Sequence, residues 1–156
     1  MTPIMRITDV LKEDCVSLSL QAKGKEEVLS ELCSLLSSKV KFDHGAMVRT
    51  LLEREKLGTA GIGDGIAIPH GKLKDLNDMY IAFGRSQEGI PFDSIDGKPV
   101  HLFFLLFAPE KSTGQHLKTL AKLSRMLKDE TFRKLLMGAQ TVDELYRMIT
   151  AKDDAC

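Results

Sequence analysis

Four histidines, His44, His70, His101 and His116, are the side chains of this chain best suited to chemistry near neutral pH. An imidazole with an ordinary pKa near 6.5 is about three-quarters neutral at pH 7, so one ring nitrogen carries a free lone pair. That lone pair can take a proton, bind a metal or attack a phosphorus atom. The histidines are not paired at helical metal-ligand spacing, no His-Glu-x-x-His occurs and no cysteine pair lies near, so neither a zinc site nor any other cofactor is expected. His70 and His116 as acid and base of a hydrolase is the weaker expectation, because no evident nucleophile partner or pair of carboxylates stands at a recognisable spacing. Nucleophilic attack on phosphorus remains.

His70 is the histidine whose surroundings suit that chemistry. It stands between Pro69 and Gly71, just after a loop in which Gly58, Gly61, Gly63 and Gly65 supply a backbone able to take positive φ and to turn N–H groups toward an anion. The loop is not a nucleotide-binding P-loop and holds no Gly-x-Gly-x-x-Gly. Attack by His70 would give a phosphoramidate carrying about two negative charges. Three kinds of donor could meet them: the loop N–H groups, Arg54, and a helix N-terminus near His116. Spacing alone also supports a plainer reading. A lone histidine at a strand end is commonly a structural hydrogen-bonder, and that reading also covers His44, His101 and His116. Arg54 would then be a solvated cation complementing a helix C-terminus, worth about 0.3–1 kcal/mol.

Several elements must position these groups. Residues 15–20 alternate apolar and polar and predict a half-buried first strand. Over residues 25–39, Val28, Leu29, Leu32, Leu35 and Leu36 make one stripe on a 3.6-residue period and predict a helix. Asp43 is placed to cap a second helix that buries Met47, Val48, Leu51 and Leu52 and ends at Gly58, which puts Arg54 in its last turn. Residues 65–68 predict a short apolar strand stopped by Pro69, delivering His70 at its end. Residues 79–85 and 100–107 predict two more strands, the second apolar enough to be central and covered on both faces. The turn-rich stretch 89–99 between them predicts a surface excursion.

Three helices are expected to finish the chain. Ser112-Thr113-Gly114-Gln115 has capping-box spacing and opens a helix over about 113–128 with His116 in its first turns, Asp129 caps a short helix, and Thr141-Val142-Asp143-Glu144 opens the last. Strands grouped between helices suggest a sheet covered on both faces. Short links between the middle strands favour antiparallel pairing, so the sheet should be mixed.

The 156 residues fit one compact domain, expected over 1–156, with 22 basic and 22 acidic side chains and no basic stripe, so nucleic acid and anionic membranes are not favoured partners. Cys15, Cys33 and Cys156 form no Cys-x-x-Cys, which suits a reducing cytoplasm. The N-terminal residues lack a charged n-region followed by an apolar run, and residues 102–108, the longest apolar run, cannot span a bilayer.

The run Arg54-Glu55-Lys56-Leu57-Gly58-Thr59-Ala60-Gly61-Ile62-Gly63-Asp64-Gly65-Ile66-Ala67-Ile68-Pro69-His70-Gly71-Lys72 resembles the phosphorylation-site signature of the type 2 enzyme IIA domains of the bacterial phosphoenolpyruvate-dependent phosphotransferase system, the fructose/mannitol class. The resemblance continues through residues 91–100, 116–120 and 143–150, covers about 4–152, and is strongest to the nitrogen-regulatory branch. It implies a three-layer α/β/α sandwich around a mixed sheet of four to five strands. It implies further that His70 accepts a phosphoryl group on Nε2 from a histidine phosphocarrier, HPr or its nitrogen-branch relative NPr, without a metal. By the same resemblance Arg54 and His116 line the site, and Thr59 contacts the phosphate. A nitrogen-branch protein would act on sensor kinases, potassium transport or nitrogen-linked transcription through its phosphorylation state. The alternative is a sugar-specific relay that passes phosphate to a permease IIB domain. With no IIB or membrane segment attached, regulation is the favoured expectation.

Overall fold

The longest apolar run of the sequence becomes the centre of the sheet. A computed structural model describes residues 6–112 and 114–156. In chain order they form α1 (Ile7–Val10), β1 (Leu11–Ser17), α2 (Lys25–Leu35), α3 (His44–Glu55), β2 (Gly61–Gly63), β3 (Ile66–Ala67), β4 (His70–Leu73), β5 (Tyr80–Ile90), β6 (Val100–Pro109), α4 (Gln115–Leu127), α5 (Glu130–Gly138) and α6 (Val142–Ala155). One six-stranded sheet runs β1-β5-β6-β3-β2, with β4 also paired to β6. It is mixed as expected: β1 is parallel to β5, β5 antiparallel to β6, and both β3 and β4 parallel to β6.

The count of six corrects the expected four to five, and the glycine segment is the reason. There the chain folds β2 back on β3 through Asp64 (φ 57°) and Gly65 (φ 77°), the two positive φ values that a type I′ hairpin requires. Beyond β3 the chain does not leave the sheet. Pro69 has no N–H to give, yet its carbonyl accepts the Leu106 N–H at 3.0 Å, and β4 resumes pairing with His70 opposite Leu106. His70 therefore begins a strand rather than ending one.

Two neighbours on β5 mark the two faces of the sheet. A Cβ on Gly84 would lie 2.7 Å from Leu20 and 2.8 Å from Leu32, so α2 packs directly on the backbone there. The next side chain, Arg85, points the other way and donates from Nη1 to the carbonyls of Leu136 and Ala139 at the end of α5. Helices thus cover both faces, the three-layer arrangement expected. The core is rich in aromatic rings. Phe83 meets Phe104 edge to face at 4.9 Å and Phe92 meets Phe103 at 5.5 Å, pairs worth about 0.5–1.5 kcal/mol each beyond their burial. Phe92 and Ser94 are buried, so the 89–99 stretch is more than a surface excursion.

The expected caps form at Asp43, Asp129 and Thr141, whose side chains accept first-turn N–H groups of their helices. The cap of α4 differs, because Gly114 is its N-cap and Ser112 turns instead toward His116, while Thr113 and the first five residues lie outside the described residues. The first strand begins four residues earlier than its apolar alternation indicates. Lys12, Glu13 and Asp14 are exposed beside a register irregularity, which hides the period of two.

Candidate functional site

Strand β4 brings His70 to the border between two layers. It pairs with β6 alone among the described strands, so its outer edge is uncovered by sheet. Gly71 lets α3 approach closely, since a Cβ there would lie 3.0 Å from Thr50. Alternation then turns His70 and Lys72 to the face opposite that Cβ position. A cleft of about 510 Å³ opens here, lined by His70 and Lys72 from β4, Arg54 from α3, Leu57 beyond it, and His116 from α4.

The His70 ring is fixed by one hydrogen bond. Its Nδ1 lies 2.9 Å from the Ile68 carbonyl oxygen, and a carbonyl can only accept, so Nδ1 carries the proton. In the neutral ring that leaves the lone pair on Nε2. His116 occupies the first turn of α4 with Nδ1 3.4 Å from the Ser112 hydroxyl. Partial burial, and after it the charges of Lys72 and His70, hold the His116 pKa below the ordinary histidine value. At neutral pH it is therefore an uncharged donor or acceptor, although it stands among cations. Arg54, exposed in the last turn of α3, donates from Nη1 to the Gly58 carbonyl at 3.3 Å, which leaves the rest of its fork available to a ligand.

The structure brings His70, His116 and Arg54 to one cleft, whereas the glycine loop differs from its expected arrangement. In the loop whose N–H groups were expected to face an anion, those of Gly58, Ala60, Gly61 and Asp64 are engaged within the protein. Ala60 N–H donates to the Glu55 carboxylate at 2.7 Å, Gly61 N–H to the Thr59 hydroxyl at 3.0 Å and Asp64 N–H to the Asp96 carboxylate at 3.2 Å. Thr59 is not among the residues lining the cleft, and its hydroxyl donates to the Phe92 carbonyl at 3.1 Å, so a phosphate contact from Thr59 has no geometric support. Lys72 was missed. Its signal is the i, i+2 spacing from His70, legible only once residues 70–73 are known to be a strand.

The other two histidines lie elsewhere. His44 Nε2 meets the Ser30 hydroxyl at 2.9 Å between α2 and α3, and His101 Nδ1 donates to the Ser86 carbonyl at 2.9 Å. Both keep the structural role expected of them. Among the described residues no cluster of His, Cys, Asp or Glu is placed to hold a metal ion, and no helix is long and apolar enough to cross a membrane.

Known proteins share both this fold and this sequence pattern. The chain is 38% identical over 145 residues to a nitrogen regulatory protein of Bradyrhizobium diazoefficiens, an alignment that takes in 93% of this chain and 95% of that protein. It is also 38% identical over 150 residues to the fructose-specific EIIABC component of Bacillus subtilis, where 96% of this chain corresponds to only 24% of the larger protein. Among solved structures, nitrogen regulatory protein IIA-Ntr from Neisseria meningitidis superposes with a TM-score of 0.87 at 34% identity, covering 92% of this chain and 98% of that one. Residues 9–152 match the family model described as phosphoenolpyruvate-dependent sugar phosphotransferase system, EIIA 2, and the chain belongs to that family.

Proposed function

We propose that this chain is a cytoplasmic phosphocarrier that accepts a phosphoryl group on Nε2 of His70 from HPr or NPr, and whose phosphorylation state regulates nitrogen- or potassium-linked partner proteins. The observation that carries the reading is the Nδ1–H bond of His70 to the Ile68 carbonyl, since it holds the tautomer whose nucleophilic nitrogen is Nε2. In the transfer, the Nε2 lone pair attacks phosphorus as the phosphorus–nitrogen bond to the donor histidine breaks, and the donor ring leaves with that electron pair. His70 retains its Nδ1 proton throughout. The Ile68 carbonyl steadies the positive charge that the ring acquires.

Such a transition state needs little covalent work from the protein, so the acceleration comes from alignment and from cations at the phosphoryl oxygens. Arg54 supplies a fork suited to two oxygens, Lys72 a point charge, and His116 a neutral N–H donor. Thr59 enters only as a residue that shapes the loop. Leu57, which lines the cleft and is 83% exposed, and Leu117, next to His116 in the chain and 57% exposed, give a carrier protein an apolar surface to dock on.

Nitrogen-15 and phosphorus-31 NMR of the phosphorylated chain is the test. The expected species is Nε2-phosphohistidine at position 70 with its Nδ1 proton retained, and phosphate on Nδ1 or on another histidine would refute the tautomer argument. The fructose-specific relative favours a second reading, a relay to a sugar-permease IIB domain, in which the same phosphohistidine would lose its label to a purified IIB protein.

A further inference from the structure

Next to Arg54, at the last position of α3, Glu55 is not among the residues lining the cleft, and its side chain is 6% exposed. It closes the turn that follows at two points. The Glu55 backbone carbonyl accepts the Gly58 N–H at 3.1 Å and its side-chain Oε1 accepts the Ala60 N–H at 2.7 Å. Between those two points lies the Gly58 carbonyl, which receives the Arg54 guanidinium. Gly58 itself has φ 153°, a value that side-chain-bearing residues rarely adopt, so the turn needs something to hold it.

The other carboxylate oxygen ties the turn to the rest of the molecule. Oε2 accepts from Lys25 Nζ at 2.9 Å, and that ammonium also meets the Asp93 carboxylate at 3.1 Å and lies 4.9 Å from the centre of the Phe92 ring. The Phe92 carbonyl in turn takes the Thr59 hydroxyl. One buried carboxylate thus joins the end of α3, the start of α2, the 58–60 turn and the 92–93 segment. Removing it would leave the Ala60 N–H without its acceptor and Lys25 without its buried counter-charge.

We propose that Glu55, seconded by Lys25, is a positioning residue for phosphoryl transfer: it sets the Gly58 carbonyl against which Arg54 is aimed. This rests on the phosphocarrier reading above. A guanidinium fork rewards placement within a fraction of an ångström, and its misplacement lowers the rate without loosening the docked carrier.

The test is single-turnover transfer from phosphorylated HPr or NPr to wild type, Glu55→Gln, Glu55→Ala, Arg54→Ala and the double variants, with each fold checked by circular dichroism. At saturating donor, E55A should slow transfer about tenfold with the half-saturating donor concentration unchanged. E55Q, which keeps an oxygen for the Ala60 N–H, should recover most of that loss. In the R54A background neither substitution at position 55 should lower the rate further, because Glu55 acts through Arg54. E55A losing the same factor with and without Arg54 would overturn the proposal, as would an E55A that matches wild type. If E55A does not fold, Glu55→Asp, which keeps the charge but is too short to hold both the Ala60 N–H and Lys25, takes its place and should slow transfer with Arg54 present and not in the R54A background, the reverse overturning the proposal. Wild type that takes up no phosphoryl group from either donor would bring down the phosphocarrier reading itself, and this proposal with it.

Discussion

The imidazole of His116 is the residue whose behaviour follows most directly from its surroundings. Burial and the neighbouring Lys72 and His70 depress its pKa below the ordinary value near 6.5, so the folded protein keeps it neutral where an unfolded chain would protonate it. In that window the unfolded state binds more protons, and stability therefore rises with pH. The contribution of this ring should be lost as pH falls from the unfolded value through the folded one, and be unchanging well above 6.5. Its size is small, because the partly exposed ring is screened by solvent. A proton NMR titration should place the His116 ring below the ordinary histidine value, and a normal or raised value would contradict the geometry. His116→Ala should slow phosphoryl uptake about a hundredfold while leaving the fold intact, read as a rate against circular dichroism. That His70, Arg54 and His116 meet in one cleft was legible only through the family resemblance, because spacing alone left each of them with a structural role. Lys72 was hidden because a four-residue strand shows too little alternation to be recognised.

Elements with a strong period were read well from sequence, and those built by turn chemistry were not. The stripes of α2 and α3 and the apolar run of β6 announce themselves, as do the Asp43, Asp129 and Thr141 caps. The four-residue α1 carries barely one turn, and Asp153 of α6 holds it by accepting the Ile7 N–H at 2.6 Å, a contact 146 residues away in sequence. The glycine loop misled for a physical reason: positive φ serves an anion nest and a type I′ hairpin equally, and only the partners of its N–H groups tell them apart. Packing of α2 on the sheet gives a prediction at this scale. Gly84→Ala would drive a methyl to within 2.8 Å of Leu20 and Leu32, and should destabilise the protein by about 1–3 kcal/mol, seen as a lower urea midpoint at unchanged slope. An unchanged midpoint would mean that α2 can shift without loss.

Across the whole molecule, α6 fastens the beginning of the chain to its end. Asp153, 3% exposed, caps α1 and pairs with Lys122 of α4, while the Tyr146 hydroxyl donates to the Thr8 and Leu11 carbonyls. Asp153→Ala should cost about 1–3 kcal/mol by leaving the Ile7 N–H without its buried acceptor, whereas a thermal midpoint like that of wild type would show the latch to be dispensable. This clasp lies away from the His70 cleft, so the same variant, once folded, should still accept phosphate. The fold class and its mixed sheet were readable from the order of elements, but these long-range closures were not, because single side chains make them without any periodic trace. The central claim is tested most directly by intact-mass measurement after incubation with phosphoenolpyruvate, enzyme I and either HPr or NPr. Wild type should gain one acid-labile phosphoryl group and His70→Ala none, with the faster donor identifying the nitrogen or the sugar branch. Equal labelling of the two proteins, or labelling of neither, would contradict His70 as the phosphoryl acceptor.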